Sequence, residues 1–424
     1  MKAVAGVLVV AVALRALLSW CTQWGEGLGA RPELATSMDR IELRTYRAHQ
    51  CVDPRAIWES LSVHHSPLLL ALGEFWIMHP VRSAVLWMGL DAVTGVVLAH
   101  IAARLARQSP KTVVLSPAAV AACYLLNPYA IACCASKSMA TIRALLVAAS
   151  VSFAVHGASL GLAVAQTLNA LLFLTPLMLT PAFLLLGADE HAEHGRWRSE
   201  FGLRRADAWW KWMRQTCVRM LVLLGGGLMV SMLLSRDTSW RFVRSVYGSR
   251  LLMDDLAPSA GLAWYFFVQM FEHFHSFYLL VVNVHMWAYV VPVSIKYRSD
   301  PLFAVTLLYG IQCLFQNYPS VGDTALFVAL WSLSSARLAD YLRYPMVTSL
   351  IFAYTTLLMP AFHYLWLYAG SANANFYYAI NLVHALGVGS LVLDAAWAWG
   401  HERWEKERPA HASNAHRRRI VVQR

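Results

Sequence analysis

The link Tyr368-Ala369-Gly370-Ser371-Ala372-Asn373-Ala374-Asn375-Phe376-Tyr377-Tyr378 is uncharged, small and rich in amides, and it runs straight into an apolar segment. Ser371, Asn373 or Asn375 can cap the helix that follows. A helix start offers free N–H groups and partial positive charge, which suit an anion such as phosphate. Carboxamides beside it can hydrogen-bond sugar hydroxyls or phosphate oxygens. The plainer alternative is a turn leading into a capped helix.

The link Gln316-Asn317-Tyr318-Pro319-Ser320-Val321-Gly322-Asp323 is built alike, with a carboxylate at a helix start. Asp323 there either steadies the helix dipole or meets a ligand. The segment Trp264 to Phe274 carries a heavy aromatic load, including Phe271 beside His273. It reads as an aromatic belt at the membrane surface, or more sharply as a surface for lipid chains. Glu272 and His273 are neighbours in sequence, so they do not share a helix face and form no HExxH metal site. His64-His65 is likewise assigned no metal, and the chain is expected to need no cofactor.

Catalytic groups are scarce. The acids early in the chain are Asp39, Glu42, Asp53 and Glu59, with no Asp-x-Asp among them. Cys51 with His64 or His65 is the one candidate Cys–His pair. The seven cysteines form no CxxC and no zinc spacing, and they read as packing residues. Cys21 and Cys51 flank one hydrophilic loop and could pair if that loop is luminal. The ionisable residues in or beside apolar runs are Arg15, Asp91, Lys137 and Arg143. Such groups are costly in lipid and need partners; Arg15 with Asp91 is the expected bridge.

The elements that must position these residues are membrane helices. Of 424 residues, 58% are hydrophobic and 14% charged, against about 25% charged in soluble domains. Mean hydropathy is +0.47. These values exclude an ordinary soluble enzyme, a disordered regulator and a coiled-coil rod. Apolar runs at 3–20, 83–103, 114–135, 139–155, 158–172, 174–187, 217–234, 274–294, 300–316, 323–338, 345–367 and 376–399 predict an all-α polytopic bundle of about 12 spans. The run 67–79 is too short to span and reads as re-entrant or interfacial. The first run, despite its positive start, reads as an uncleaved span.

The net charge of +11 is read as the positive-inside bias of cytoplasmic links, so no nucleic-acid partner is expected. With a cytosolic N-terminus, the cytosolic links carry Arg104, Arg107 and Lys111, the cluster Arg196 to Arg214, Lys296 and Arg298, then Arg337 and Arg343. The opposite links 317–322 and 368–375 hold no Lys or Arg. Loop 235–262 breaks the pattern with Arg236, Arg241, Arg244 and Arg250. Residues 1–400 are thus expected to form a membrane domain and 401–424 a basic cytosolic tail.

Four stretches resemble the PIG-U family, the polytopic subunit of the glycosylphosphatidylinositol (GPI) transamidase. They are Tyr124-Leu125-Leu126-Asn127-Pro128-Tyr129 with Lys137-Ser138, Gly261 to Phe274, Tyr318 to Leu326, and Tyr368 to Ala379. The resemblance implies a subunit of the endoplasmic-reticulum membrane with both termini cytosolic and a fold like the membrane glycosyltransferases (GT-C). It implies partners that include a caspase-like cysteine subunit, which performs the reaction, so this chain would not be an enzyme. Its role would be to bind and present the GPI lipid through Ser371, Asn373, Asn375, Tyr377, Phe271, His273 and Asp323. The alternative is a dolichol-linked mannosyltransferase of GPI biosynthesis, with one of the early acids acting as base or binding a metal.

Overall fold

The computed structural model describes residues 2–21, 28–40, 58, 63–77, 79–108, 114–194, 202–235 and 240–407. Glu42, Cys51, Asp53, Glu59 and the chain beyond 407 lie outside them. The described residues form helices, turns and links, with no strand. In order, the helices are α1 Lys2–Trp20, α2 Pro67–Ile77, α3 Pro80–Gln108, α4 Pro117–Leu125, α5 Pro128–Ala135, α6 Ala140–Val155, α7 Ser159–Leu172, α8 Thr180–His194 and α9 Gly202–Ser235. After short turns over 241–252 come α10 Ala263–Gln269, α11 Glu272–Ala288, α12 Val290–Lys296, α13 Pro301–Phe315, α14 Val321–Leu338, α15 Pro345–Leu367 and α16 Ala374–Glu407.

Sequence punctuation sets several of these starts. Proline stands at the first helical position of α4, α5 and α13, where its fixed φ fits and its missing N–H costs nothing. The residue before each proline caps the helix. Ser116 Oγ accepts from Ala119 N at 3.2 Å, Asn127 Oδ1 from Tyr129 N at 3.0 Å, and Asp300 Oδ1 from Phe303 N at 3.3 Å. The Asn127-Pro128 step bends the run 114–135 by 54° between α4 and α5.

Each of the twelve apolar runs coincides with a helix or a broken helix. Length and composition separate these runs further. Among the described residues, six helices are long and apolar enough to cross a membrane, or up to seven if the bent α4–α5 pair counts as one. They are Lys2–Trp20, Pro80–Gln108, Ala206–Ser235, Glu272–Lys296, Pro345–Leu367 and Ala374–Glu407. α6, α7 and α13 have 16, 14 and 15 residues, about 21–24 Å at 1.5 Å per residue, against a hydrocarbon core of about 30 Å. In hydropathy an apolar helix buried among other helices reads like one facing lipid. α13 and α14 are the clearest case, being almost wholly buried. α9 and α15, by contrast, expose Leu221, Val222, Leu233, Leu350 and Leu357, a surface that water would not tolerate and lipid does. The chain is a multi-pass membrane protein.

Two polar ends close the bundle. At one, Arg337 pairs with Asp300 at 2.5 Å, Lys406 with Glu402 at 2.5 Å, and Asp394 accepts from Arg343 N and Tyr344 N. α16 continues through residue 400 to Glu407, so no structural break marks the end of the expected membrane domain. The opposite end gathers the links 316–320 and 368–373, the segment 28–40 and the turns of 241–252.

Candidate functional site

The amide-rich turn is shaped at both sides by its own residues. Ser371 N and Ala372 N fold back onto Leu365 O at 3.1 and 3.2 Å, and Gly370 takes φ +62°, a left-handed value that favours glycine. Asn373 is the residue that caps α16, accepting from Asn375 N at 3.0 Å. Asn375 Oδ1 accepts from Tyr265 OH. The amide nitrogens of Asn373 and Asn375 donate to no described residue, and both side chains are exposed, as is Ser371.

The aromatic helix α10 is docked on the first turns of α16. Tyr265 stacks on Tyr378 with centroids 4.5 Å apart, and Trp264 meets Tyr377, Tyr378 and Trp366. Tyr378 OH donates to Leu262 O at 3.1 Å and Asn381 Nδ2 to Ser259 O at 2.7 Å, which fixes the approach to α10. Tyr377 is fully buried, and its hydroxyl donates to Glu33 Oε2 at 3.1 Å.

A second cluster lies beneath. Arg143 forks between two carboxylates, reaching Asp323 at 2.7 and 2.9 Å and Asp39 at 3.1 and 3.2 Å. All three side chains are about 1–2% exposed. Asp323 also accepts from Tyr309 OH, Gln316 Nε2 and Ser320 N, the last as half of a capping box on α14. The segment 28–40 straps the two clusters together. Glu33 O accepts from Val321 N, Asp39 O from Met139 N, and Leu34 O from Cys133 Sγ. Near its end His65 is held against Arg40 O at 2.7 Å, and burial pushes its pKa down from 6.5 to about 4.

Thus Asn373, Asn375 and Tyr377 share one neighbourhood with α10. Phe271 is 79% exposed at the α10–α11 junction, and His273 is exposed with its ring against Phe274. Neither has a described contact with the amide turn. Asp323 sits in the buried ion cluster and is joined to Tyr377 through the strap. Asp39, the described member of the early acids, has both oxygens engaged by Arg143. The expected Arg15–Asp91 bridge is present, buried, with Tyr124 OH donating to Asp91 at 2.7 Å. Sequence reasoning did not single out Glu33, Tyr265 or Arg250. For Arg250 a signal existed: it is one of the arginines that breaks the charge pattern of the loops. Among the described residues no group of three or more His, Cys, Asp or Glu could hold a metal.

The sequence matches the family described as GPI transamidase subunit PIG-U over residues 9–384. It is similar to "GPI-anchor transamidase component PIGU" of Homo sapiens, 31% identical over 421 residues, covering 93% of this chain and 92% of that protein. It is 29% identical over 414 residues to "GPI transamidase component GAB1 homolog" of Schizosaccharomyces pombe, covering 93% and 94%. With "GPI transamidase component GAB1" of Saccharomyces cerevisiae it shares 39% identity over 160 residues, covering 38% of this chain and 40% of that protein.

Proposed function

The chain belongs to the PIG-U family of GPI transamidase subunits, and from that premise we propose that it is a non-catalytic subunit of the complex that binds and presents the GPI lipid. The complex sits in the endoplasmic-reticulum membrane, with both termini of this chain in the cytosol and the amide turn in the lumen. A caspase-like cysteine subunit carries the nucleophile. The fold is of the GT-C kind.

The observation that carries the reading is the exposed, uncharged cap of α16. Asn373 and Asn375 fix the turn with their oxygens, which leaves both amide nitrogens as donors. The first N–H groups of α16 add partial positive charge. The nearby Glu33 carboxylate is occupied by Tyr377 and Arg31, which leaves the exposed cap to a phosphate and its glycan. Ser371 supplies a hydroxyl beside them, and buried Tyr377 anchors the helix start. The exposed rings of Phe271, Phe274 and Phe277, with His273 among them, offer apolar surface for acyl chains. Asp323 supports the platform from beneath rather than touching the lipid. Holding the ethanolamine amine near a partner's acyl-enzyme raises the rate by proximity.

The test separates ligand binding from folding. Asn373→Ser keeps a capping oxygen, and Asn375→Asp keeps the acceptor for Tyr265, yet together they remove both amide donors and add a negative charge. Each lost charge-assisted bond is worth about 1.5–3 kcal/mol. The double variant should co-purify with its partners normally while anchor attachment at limiting GPI falls roughly tenfold or more. Attachment at the wild-type rate under limiting GPI would remove the amide turn from the account.

A further inference from the structure

A small, partly open cavity of about 30 Å³ lies beside α11, with no residue of the amide turn in its lining. Its polar wall is made by Arg250, Arg143, Asp39, Asn283, Gln316 and Asn317, and Trp287 stands among its apolar residues. Arg250 is 8% exposed. Its terminal nitrogens reach only the carbonyls of Phe173 and Met38, both at 3.4 Å, and its buried Nε has no acceptor. No described carboxylate lies within ion-pair distance of it. Asp39 is the nearest claim on its charge, but both Asp39 oxygens are held by Arg143. Asp323 is engaged by Arg143, Tyr309, Gln316 and the start of α14. Burial, with Arg143 close by, lowers the Arg250 pKa to about 10, so the guanidinium stays protonated at neutral pH with donors unmet.

We propose that this cavity is a second lipid site, in which Arg250 holds the phosphate of a membrane phospholipid. Arg250 provides a planar fork suited to phosphate oxygens. Asn283 and Asn317 spend their amide hydrogens on one another and on the carbonyls of Leu251, Leu279 and Arg250, so they shape the wall and leave the phosphate contact to Arg250. A lipid rather than a soluble phosphate fits because Asn283, Met286 and Trp287 of the wall belong to a membrane-capable helix. Leu280, Val281 and Val284, which flank Asn283 on α11, are exposed and apolar, and Trp287 at the wall is the residue type that favours headgroup depth. None of the lining residues belongs to the turn 368–378, so the inference does not depend on the GPI reading.

The experiment uses the full chain purified with its partner subunits in mild detergent. Dioleoyl phosphatidylinositol and dioleoylglycerol, which share acyl chains and differ in the phosphate headgroup, are compared for retention by native mass spectrometry. The wild type should retain the phospholipid in preference, by roughly tenfold or more. Arg250→Gln should abolish the preference, and Arg250→Lys, which keeps the charge and loses the fork, should keep only part of it. Equal retention of the two lipids by the wild type overturns the proposal, and this comparison holds even if a variant fails to assemble. Preference unchanged in Arg250→Gln overturns it too, leaving Arg250 as a counter-ion for the Asp39 cluster. Displacement by soluble inositol phosphate at concentrations equal to the phospholipid's would contradict the lipid source.

Discussion

Arg143→Met tests whether the buried ion cluster holds the site end of the bundle together. In the wild type one guanidinium makes four hydrogen bonds of 2.7–3.2 Å to Asp39 and Asp323. Replacing it leaves two carboxylates about 1% exposed with no cation in contact. Asp323 retains Tyr309, Gln316 and Ser320 N, whereas Asp39 loses every side-chain bond described for it. Breaking a buried pair from one side costs about 3–5 kcal/mol, and two stranded carboxylates place this variant at the upper end. At 1.4 kcal/mol per decade, the unfolding equilibrium shifts by roughly two to four orders of magnitude. The assay is a thermal melt in detergent followed by a thiol-reactive dye. Cys133, Cys134 and Cys313 are buried, so the rise above the baseline set by accessible thiols such as exposed Cys21 reports opening of the core. Adding Asp39→Asn to Arg143→Met removes a stranded charge, and the pair should be less destabilised than the sum of its singles by about 0.5–3 kcal/mol. An Arg143→Met melt at the wild-type midpoint, or strictly additive losses, would refute the claim that Asp39 and Arg143 act as one buried unit.

Other outcomes follow from the same contacts. His65 is held neutral by burial, so the unfolded chain binds a proton that the folded chain refuses between its folded pKa of about 4 and the ordinary 6.5. Stability should therefore be full above pH 6.5 and fall by roughly 3 kcal/mol as pH drops toward 4; His65→Gln should flatten that acid limb of the melt. Gly310 lets α13 approach α14 and α16, since an added Cβ would lie 2.6 Å from both Phe327 and Val392. Gly310→Ala should cost about 1–3 kcal/mol by overpacking, read by the same thermal melt. Tyr265→Phe removes the hydroxyl that orients Asn375 while keeping the ring on Tyr378. It should weaken GPI-dependent attachment less than the double amide variant does, with co-purification of partners unchanged.

Much of the end-to-end plan was legible because its cues are local. Proline at helix starts, Asn373 before an apolar run and Asp323 three residues after Ser320 each act within one turn. The Arg15–Asp91 bridge was legible for another reason: opposite charges stranded in apolar runs have few partners to choose from. The Asp39–Arg143–Asp323 cluster was not, because its members are 104 and 180 residues apart and each has a local explanation when read alone. Asp39 read as an early acid, Asp323 as a dipole cap and Arg143 as a costly buried charge. Which apolar helices face lipid was not legible either, for a related reason. Hydropathy records how apolar a helix is and says nothing of whether its neighbour is lipid or, as for α13, other helices.

The most direct measurement places a photoreactive residue at Ser371 and, as a control, at Met346, exposed at the opposite end of α15. Membranes carrying radiolabelled GPI are then illuminated and the chain is isolated. GPI lipid bound at the amide turn predicts a labelled adduct at position 371 and none at 346. No adduct at 371, or equal labelling at both positions, would contradict it.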